Sequence, residues 1–209
     1  MSRVPVALAA LVLSVACAKA APAPSPDTAA QQPPKPQPTA SSPVSPSSTS
    51  DAAAVASFQA RLKEYSDLHN KLEKTLPPLP KETNPAVIDR HQRALEAQLK
   101  QARQTAKPGD IFTPEGQQLV RRLMAQVFRG AEGAKLKATI NDENPSTLKL
   151  AVNSRYPDDL PLSTMPPQVL AMLPKLPEEL EYRFIGSRLI LLDVHAHTIA
   201  DYIENVLPA

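Results

Sequence analysis

The chain has 209 residues, of which 24 are proline and none is tryptophan, and it carries 23 Lys and Arg residues against 21 Asp and Glu residues. This length suits one ordinary domain with a tail rather than two large domains. The nearly neutral charge argues against a nucleic-acid-binding protein, which needs a concentrated basic surface.

Residues 1–20 have the pattern of an export signal. Arg3 precedes the apolar run Val4–Ala16, which is too short to cross a bilayer as a helix, and Ala18–Ala20 fits a small-residue cleavage site. The only cysteine, Cys17, ends the apolar run, where a lipoprotein carries its lipidated cysteine. Two outcomes stay open, lipidation of Cys17 or its removal with the signal. We therefore expect an exported protein without disulfides, either periplasmic or a membrane-anchored lipoprotein.

Residues 21–50 consist mainly of Pro, Ala, Ser, Thr and Gln, with almost no large apolar side chains. Such a segment buries too little surface to offset the entropy cost of ordering it. The composition predicts a disordered tether, followed by a single globular domain over residues 51–209.

Two amphipathic helices are predicted to open this domain. The first covers Asp51–Leu76, and the second starts at Asn84, which caps it, followed by Pro85 at the first helical position. The short proline-rich link between them predicts an antiparallel helical hairpin over residues 51–106. The two apolar stripes contain Val55, Phe58, Leu62, Tyr65, Leu68, Leu72 and Leu76, and Ile88, His91, Leu95, Leu99 and Ala102.

Further elements follow along the chain. Thr113-Pro114-Glu115 predicts the start of a third helix by the same capping pattern. Residues 131–143 fit a helix or a strand, and we favour the helix. Apolar alternation at residues 148–152 predicts a strand, and a short helix is expected around Pro166–Leu173.

A β-hairpin is the clearest feature near the C-terminus. Gly186-Ser187 separates two strand-like runs, and glycine supplies the positive φ that a tight type II′ turn needs. The second run is apolar on both faces, which predicts that it is the more covered strand. This register predicts a core face of Leu180, Tyr182, Phe184, Leu189 and Leu191.

Thr198-Ile199-Ala200-Asp201 resembles a capping box and predicts a short final helix with an apolar stripe that includes Ile199 and Ile203. The predicted fold class is therefore α+β. The N-terminal helical hairpin and further helices pack with a small antiparallel sheet within residues 148–209, and a short C-terminal helix follows.

The segments Leu173–Gly186 and Leu192–Ala196 resemble the C-terminal part of a family of uncharacterised secreted and envelope proteins of bacteria. About a quarter of the chain carries this resemblance. It implies export and a small domain, but no chemistry, because the family has no assigned activity.

Asp193, His195 and His197 form the first candidate site. On an extended strand, side chains two residues apart share one face, which is how a His-x-His pair chelates zinc or another divalent metal. The plainer interpretation places His195 at the surface end of a strand and His197 against Tyr202 just before the final helix. Without a third ligand from elsewhere in the chain, this spacing is weak evidence.

His69 and His91 form the second candidate site. Each lies on or beside an apolar helix stripe, and an antiparallel helical hairpin would place them at about the same level. They could pair, bind metal or titrate together, or they could be core histidines with one hydrogen bond each. Folding could also bring either of them to His195.

No motif of a nucleophilic enzyme, a phosphate-binding loop or a dinucleotide-binding fold is present, so no catalytic residue is assigned. We expect an exported protein with a non-enzymatic binding or structural role at the cell envelope. Its partner would be another envelope protein or a second copy of itself, and a membrane would be reached only through a lipid on Cys17. The alternative is a metal-binding protein or metal-dependent hydrolase that uses Asp193, His195 and His197.

Overall fold

The computed structural model describes residues 49–80, 84–143 and 148–208. The predicted export signal, Cys17 and residues 21–48 of the predicted tether lie outside the described residues. Thr49 and Ser50, assigned to the tether from composition, belong instead to the first helix.

The described residues form five helices and three strands, which confirms the α+β class. None of these helices combines the length and the apolar character needed to cross a membrane. The elements are α1 (Thr49–Glu73), α2 (Pro85–Ala102), α3 (Pro114–Val127), α4 (Gly130–Glu143), α5 (Pro167–Met172), β1 (Leu180–Ile185), β2 (Arg188–Asp193) and β3 (Thr198–Ile203).

Side-chain caps fix the starts of two helices where the sequence predicts them. Asn84 accepts a hydrogen bond from the N–H of Val87 at the start of α2, and Thr113 accepts one from Gly116 at the start of α3. Each cap is followed by a proline at the first helical position, where its missing N–H costs nothing. Residues 131–143 lie in α4, so the helical interpretation of that segment is confirmed.

The three strands form one antiparallel sheet in the order β1-β2-β3. The predicted hairpin register is confirmed, with Tyr182 opposite Leu191 and Phe184 opposite Leu189. Gly186 in the connecting turn has φ of 57°, the left-handed conformation that glycine adopts at least cost. The more apolar strand, β2, is the central one, as its two covered faces predict.

The sheet is covered on both faces. The predicted core face packs against the helices in one large cluster that includes Phe58, Leu95, Phe112 and Met124. The opposite face carries Ile185, Ile190, Leu192 and Ile199 and is covered by Leu150 and Tyr156, with Leu148 and Leu160 at its margin. Burial on both faces explains why β2 lacks a polar side.

The predicted C-terminal helix is wrong, because Thr198–Ile203 forms the third strand. A β-bulge at Ala200 shifts the pairing, so that Leu192 faces Ile199 while Leu191 faces Asp201. Because of the bulge, Ile199 and Ile203 lie on opposite faces of the sheet. Their spacing of four residues also fits one face of a helix, and the prediction of a helix depended on that spacing.

The predicted strand at residues 148–152 is also wrong. Leu148 and Leu150 pack on the sheet without pairing with it, so their alternation reflects burial rather than a ladder. The chain reaches the free edge of β3 a few residues later, where Ser154 accepts from Ile199 and Arg155 bridges Thr198.

Asp201 anchors the connection between α2 and α3 to the sheet. The bulge turns its side chain toward that connection, and its carboxylate accepts hydrogen bonds from the N–H groups of Gly109, Ile111 and Phe112 at 2.8–3.0 Å. A carboxylate with several N–H donors can be buried without an ion-pair partner.

Candidate metal centre

His69 is the deepest polar residue of α1. The buried face of this helix consists of Ala54, Phe58, Leu62, Tyr65 and His69. Because residues four apart lie on the same helix face, His69 follows Tyr65 toward the sheet, and its side chain is fully buried. Leu68, which the apolar pattern assigns to the stripe, is only partly buried.

Asp193, at the end of β2, contacts His69. Its Oδ2 atom accepts hydrogen bonds from the Tyr65 hydroxyl and from Nδ1 of His69, both at 2.7 Å. Its Oδ1 atom accepts from the N–H of Ala196 at 2.8 Å and so closes the turn between β2 and β3. The carboxylate therefore fixes α1, β2 and the following turn in one arrangement.

The Asp193 contact determines the tautomer of His69. A carboxylate only accepts, so Nδ1 carries a proton, and in the neutral imidazole Nε2 then has a free lone pair. Burial lowers the pKa of His69, but the hydrogen bond and charge of Asp193 and the charges of Glu73 and Glu179 outweigh it and raise the pKa above its ordinary value.

The Nε2 atom of His69 faces the carboxylate of Glu73, one helical turn further along α1. It lies 3.4 Å from Oε2 of Glu73, and the other oxygen of that carboxylate lies 3.2 Å from Nδ1 of His195. The three ligand atoms are all within 4.8 Å of one another, and the two imidazole ring centres are 5.3 Å apart. Two imidazoles and one carboxylate are a recurrent zinc-binding set.

Two of these atoms have no hydrogen-bond partner among the described residues. They are Nε2 of His69 and Nδ1 of His195, and both are shielded from solvent. A buried polar atom without a partner costs free energy, and such atoms in a native structure often indicate an ion or water that completes the site. Both nitrogens face the same carboxylate.

Negative charge surrounds the cluster. Asp193 and Glu179 are almost inaccessible to solvent, and Glu73 is partly buried. Glu179 lies near enough for its charge to act on His69, and one of its carboxylate oxygens has no hydrogen-bond partner among the described residues. A divalent cation would offset part of this buried negative charge.

The predicted trio of Asp193, His195 and His197 does not share one face. Residues 194–197 form a turn rather than a strand, and His197 has φ of 55°. Its Nε2 lies 3.6 Å from the carboxylate of Asp158, away from the cluster. Asp193 supports His69 instead of facing His195, so among the three only His195 presents a ligand atom to the cluster.

His69 and His91 both lie near the carboxylate of Glu73 at the helical hairpin. The Nε2 atom of His91 lies 3.8 Å from Oε1 of Glu73. Glu73 is not among the site residues that the sequence predicts. Its signal was the i, i+4 spacing from His69, which places both side chains on one face of the helix.

No protein-family model matches the chain, and neither a curated protein nor a solved structure matches it. The resemblance to secreted bacterial proteins therefore stays an expectation.

Proposed function

We propose that this protein binds one zinc ion through Nε2 of His69, the carboxylate of Glu73 and Nδ1 of His195. The observation that carries the proposal is the convergence on one carboxylate of two solvent-shielded imidazole nitrogens that have no hydrogen-bond partner in the described part of the chain. Imidazole nitrogen and carboxylate oxygen are common zinc ligands, whereas magnesium and calcium favour oxygen ligands alone.

The distances support a tetrahedral ion. Zinc bonds of about 2.0–2.2 Å place neighbouring ligand atoms about 3.3–3.6 Å apart in a tetrahedral site. The shortest separations are 3.4 Å from Oε2 of Glu73 to Nε2 of His69 and 3.2 Å from Oε1 of Glu73 to Nδ1 of His195. One ligand atom from each of the three side chains lies within 4.8 Å of the other two, so the side chains must close by about 1 Å to reach tetrahedral spacing around the metal. Asp193 accepts a hydrogen bond from Nδ1, the other ring nitrogen of His69. Metal-binding histidines usually have such a supporting contact.

The role we propose for the metal is to join the helical hairpin to the sheet. His69 and Glu73 belong to α1, and His195 belongs to the turn that connects β2 to β3. The only cysteine of the chain is Cys17, so no disulfide can make this connection. If the protein is exported, as residues 1–20 suggest, a metal link would replace the disulfides that secreted domains often use.

The wider function proposed here is a non-enzymatic binding or structural role at the cell envelope, carried out by this metal-linked domain. An envelope protein or a second copy of the chain is the expected partner. The metal-dependent hydrolase remains the rival proposal, and the two differ in whether the metal keeps an open position for water.

Elemental analysis of the purified chain without a polyhistidine tag tests the metal. We expect about one zinc per chain, and none in the Glu73→Gln/His195→Ala double variant. The matched control is His197→Asn, which removes a nearby histidine outside the cluster and introduces a residue that tolerates positive φ. Its zinc content should equal that of the parent.

Thermal unfolding gives a second readout. Zinc at a free concentration of 100 times its dissociation constant should stabilise the fold by about 2.7 kcal/mol. For a domain of this size, that corresponds to a rise in Tm of about 5–10 °C. If the parent takes up no zinc after loading and its Tm does not change, the cluster is an ion-paired imidazole–carboxylate network and the proposal is wrong.

A further inference from the structure

We infer that His91 is the fourth zinc ligand, which closes the coordination sphere. This inference rests on the zinc site proposed above. His91 lies in the first half of α2, and its side chain is 11% exposed. It thus approaches the cluster from a helix that supplies none of the other three ligands.

The geometry places His91 against the carboxylate that the other two imidazoles contact. His91 lies outside the three side chains whose ligand atoms are all within 4.8 Å of one another, so its ring must move inward to bind the same ion. Its Nε2 lies 3.8 Å from Oε1 of Glu73, the same oxygen that lies 3.2 Å from Nδ1 of His195. The carboxylate is therefore surrounded by three imidazoles, two at its Oε1 atom and His69 at Oε2. The His91 contact exceeds the ideal spacing of about 3.3–3.6 Å by only a few tenths of an ångström.

A fourth protein ligand changes what the metal can do. A zinc ion with three protein ligands keeps a position for water and can activate it, whereas one with four protein ligands is typically structural. With His91 bound, the metal would connect α1, α2 and the turn before β3. The inference therefore favours the binding or structural role over hydrolysis.

Cobalt substitution tests the coordination number directly, because Co²⁺ has visible bands that depend on it. In the parent chain we expect the intense bands of a four-coordinate ion, unchanged by added azide. In His91→Ala we expect weaker bands that shift with azide, and a Co²⁺ affinity at least ~10-fold lower. Added imidazole should restore the parent spectrum in this variant alone, a result that a folding defect cannot produce.

The His197→Asn variant serves as the control and should keep the parent spectrum and affinity. A parent spectrum that already shifts with azide would show an open position and overturn the inference, as would a His91→Ala variant with unchanged spectrum and affinity. If the parent binds no Co²⁺ or Zn²⁺ at all, both this inference and the proposed function fail. The two failures are therefore distinguishable.

Discussion

The Oδ2 atom of Asp193 lies 2.7 Å from Nδ1 of His69, across a separation of 124 residues, and both side chains are fully buried. This contact joins the end of the central strand to the first helix inside the core. Each group would be costly to bury alone, so each depends on the other for its place in the fold.

Replacement of Asp193 by Asn tests this dependence. The amide has only one accepting oxygen, so it cannot reproduce all the contacts to Tyr65, His69 and Ala196. We expect the metal-free protein to lose about 1.5–3 kcal/mol of unfolding free energy, measured by urea denaturation. Zinc affinity should fall about 10–100-fold, because the tautomer and ring orientation of His69 are no longer fixed.

Tyr65→Phe is the matched control for that variant. It removes one donor to the same Oδ2 atom but leaves the His69 contact in place. Stability should fall by about 1.5 kcal/mol, while zinc affinity stays within about threefold of the parent, well below the loss of about 10–100-fold expected when the support of a ligand is removed. Equal losses of zinc affinity in the two variants would show that Asp193 does not act through His69.

Asp201 gives a prediction about pH. Burial raises the pKa of Asp201, and its backbone N–H donors lower it less, so the folded-state pKa lies above the ordinary value near about 4. The folded protein thus holds this proton more tightly than the unfolded chain. The stability linked to this group is present below the unfolded pKa and is lost as pH rises through the folded pKa.

In the Asp201→Asn variant, the unfolding free energy should not show this decline between about pH 4 and the folded-state pKa of Asp201. The variant should also be less stable than the parent at neutral pH, because the amide NH₂ would face the N–H groups of Gly109, Ile111 or Phe112. Urea denaturation at several pH values measures both effects. If the variant shows the same decline in stability with pH as the parent, another group causes that decline.

Arg103 gives a prediction about the contact between α2 and β3. Its guanidinium donates to Oδ1 of Asn153 at 2.7 Å and to the carbonyl of Ala200 at 3.1 Å, and it stacks over the ring of Tyr65 at 4.8 Å. Lysine keeps the charge but not the planar fork, so Arg103→Lys should cost about 1–2 kcal/mol in chemical denaturation. If Arg103→Lys leaves the unfolding free energy unchanged, the charge alone is sufficient for this contact.

The features that the sequence predicted depend on local chemistry. The hairpin register follows from Gly186-Ser187 and the alternation around it, and two helix starts follow from the caps Asn84 and Thr113. The third strand was missed because a bulge at Ala200 interrupts the two-residue period, so a strand buried on both faces resembled a helix. Its pairing with β2 is a tertiary contact that local pattern does not contain.

The candidate site depends on tertiary contacts in the same way. The sequence predicted His69, His91 and His195 as candidate ligands and left open that folding could combine them. It also placed His195 on one strand face with Asp193 and His197, whereas residues 194–197 form a turn. Glu73 had no distinguishing local feature beyond its spacing from His69. The burial of His69 requires Asp193, and no periodicity within α1 could indicate a partner on a distant strand.

Two glycines make a paired prediction about packing. A Cβ at Gly133 in α4 would lie 2.2–2.6 Å from the backbone of Phe128, closer than any real contact. Because backbone cannot move aside cheaply, Gly133→Ala should destabilise the fold by about 1–3 kcal/mol or more.

At Gly116 in α3, the added Cβ would meet only the Thr113 hydroxyl oxygen at 3.5 Å, an ordinary contact. Gly116→Ala should therefore stabilise the protein by about 0.4–1 kcal/mol, because alanine restricts the unfolded chain. Thermal and urea denaturation of both variants would measure the difference in sign, and destabilisation by both would contradict the packing described around Gly116.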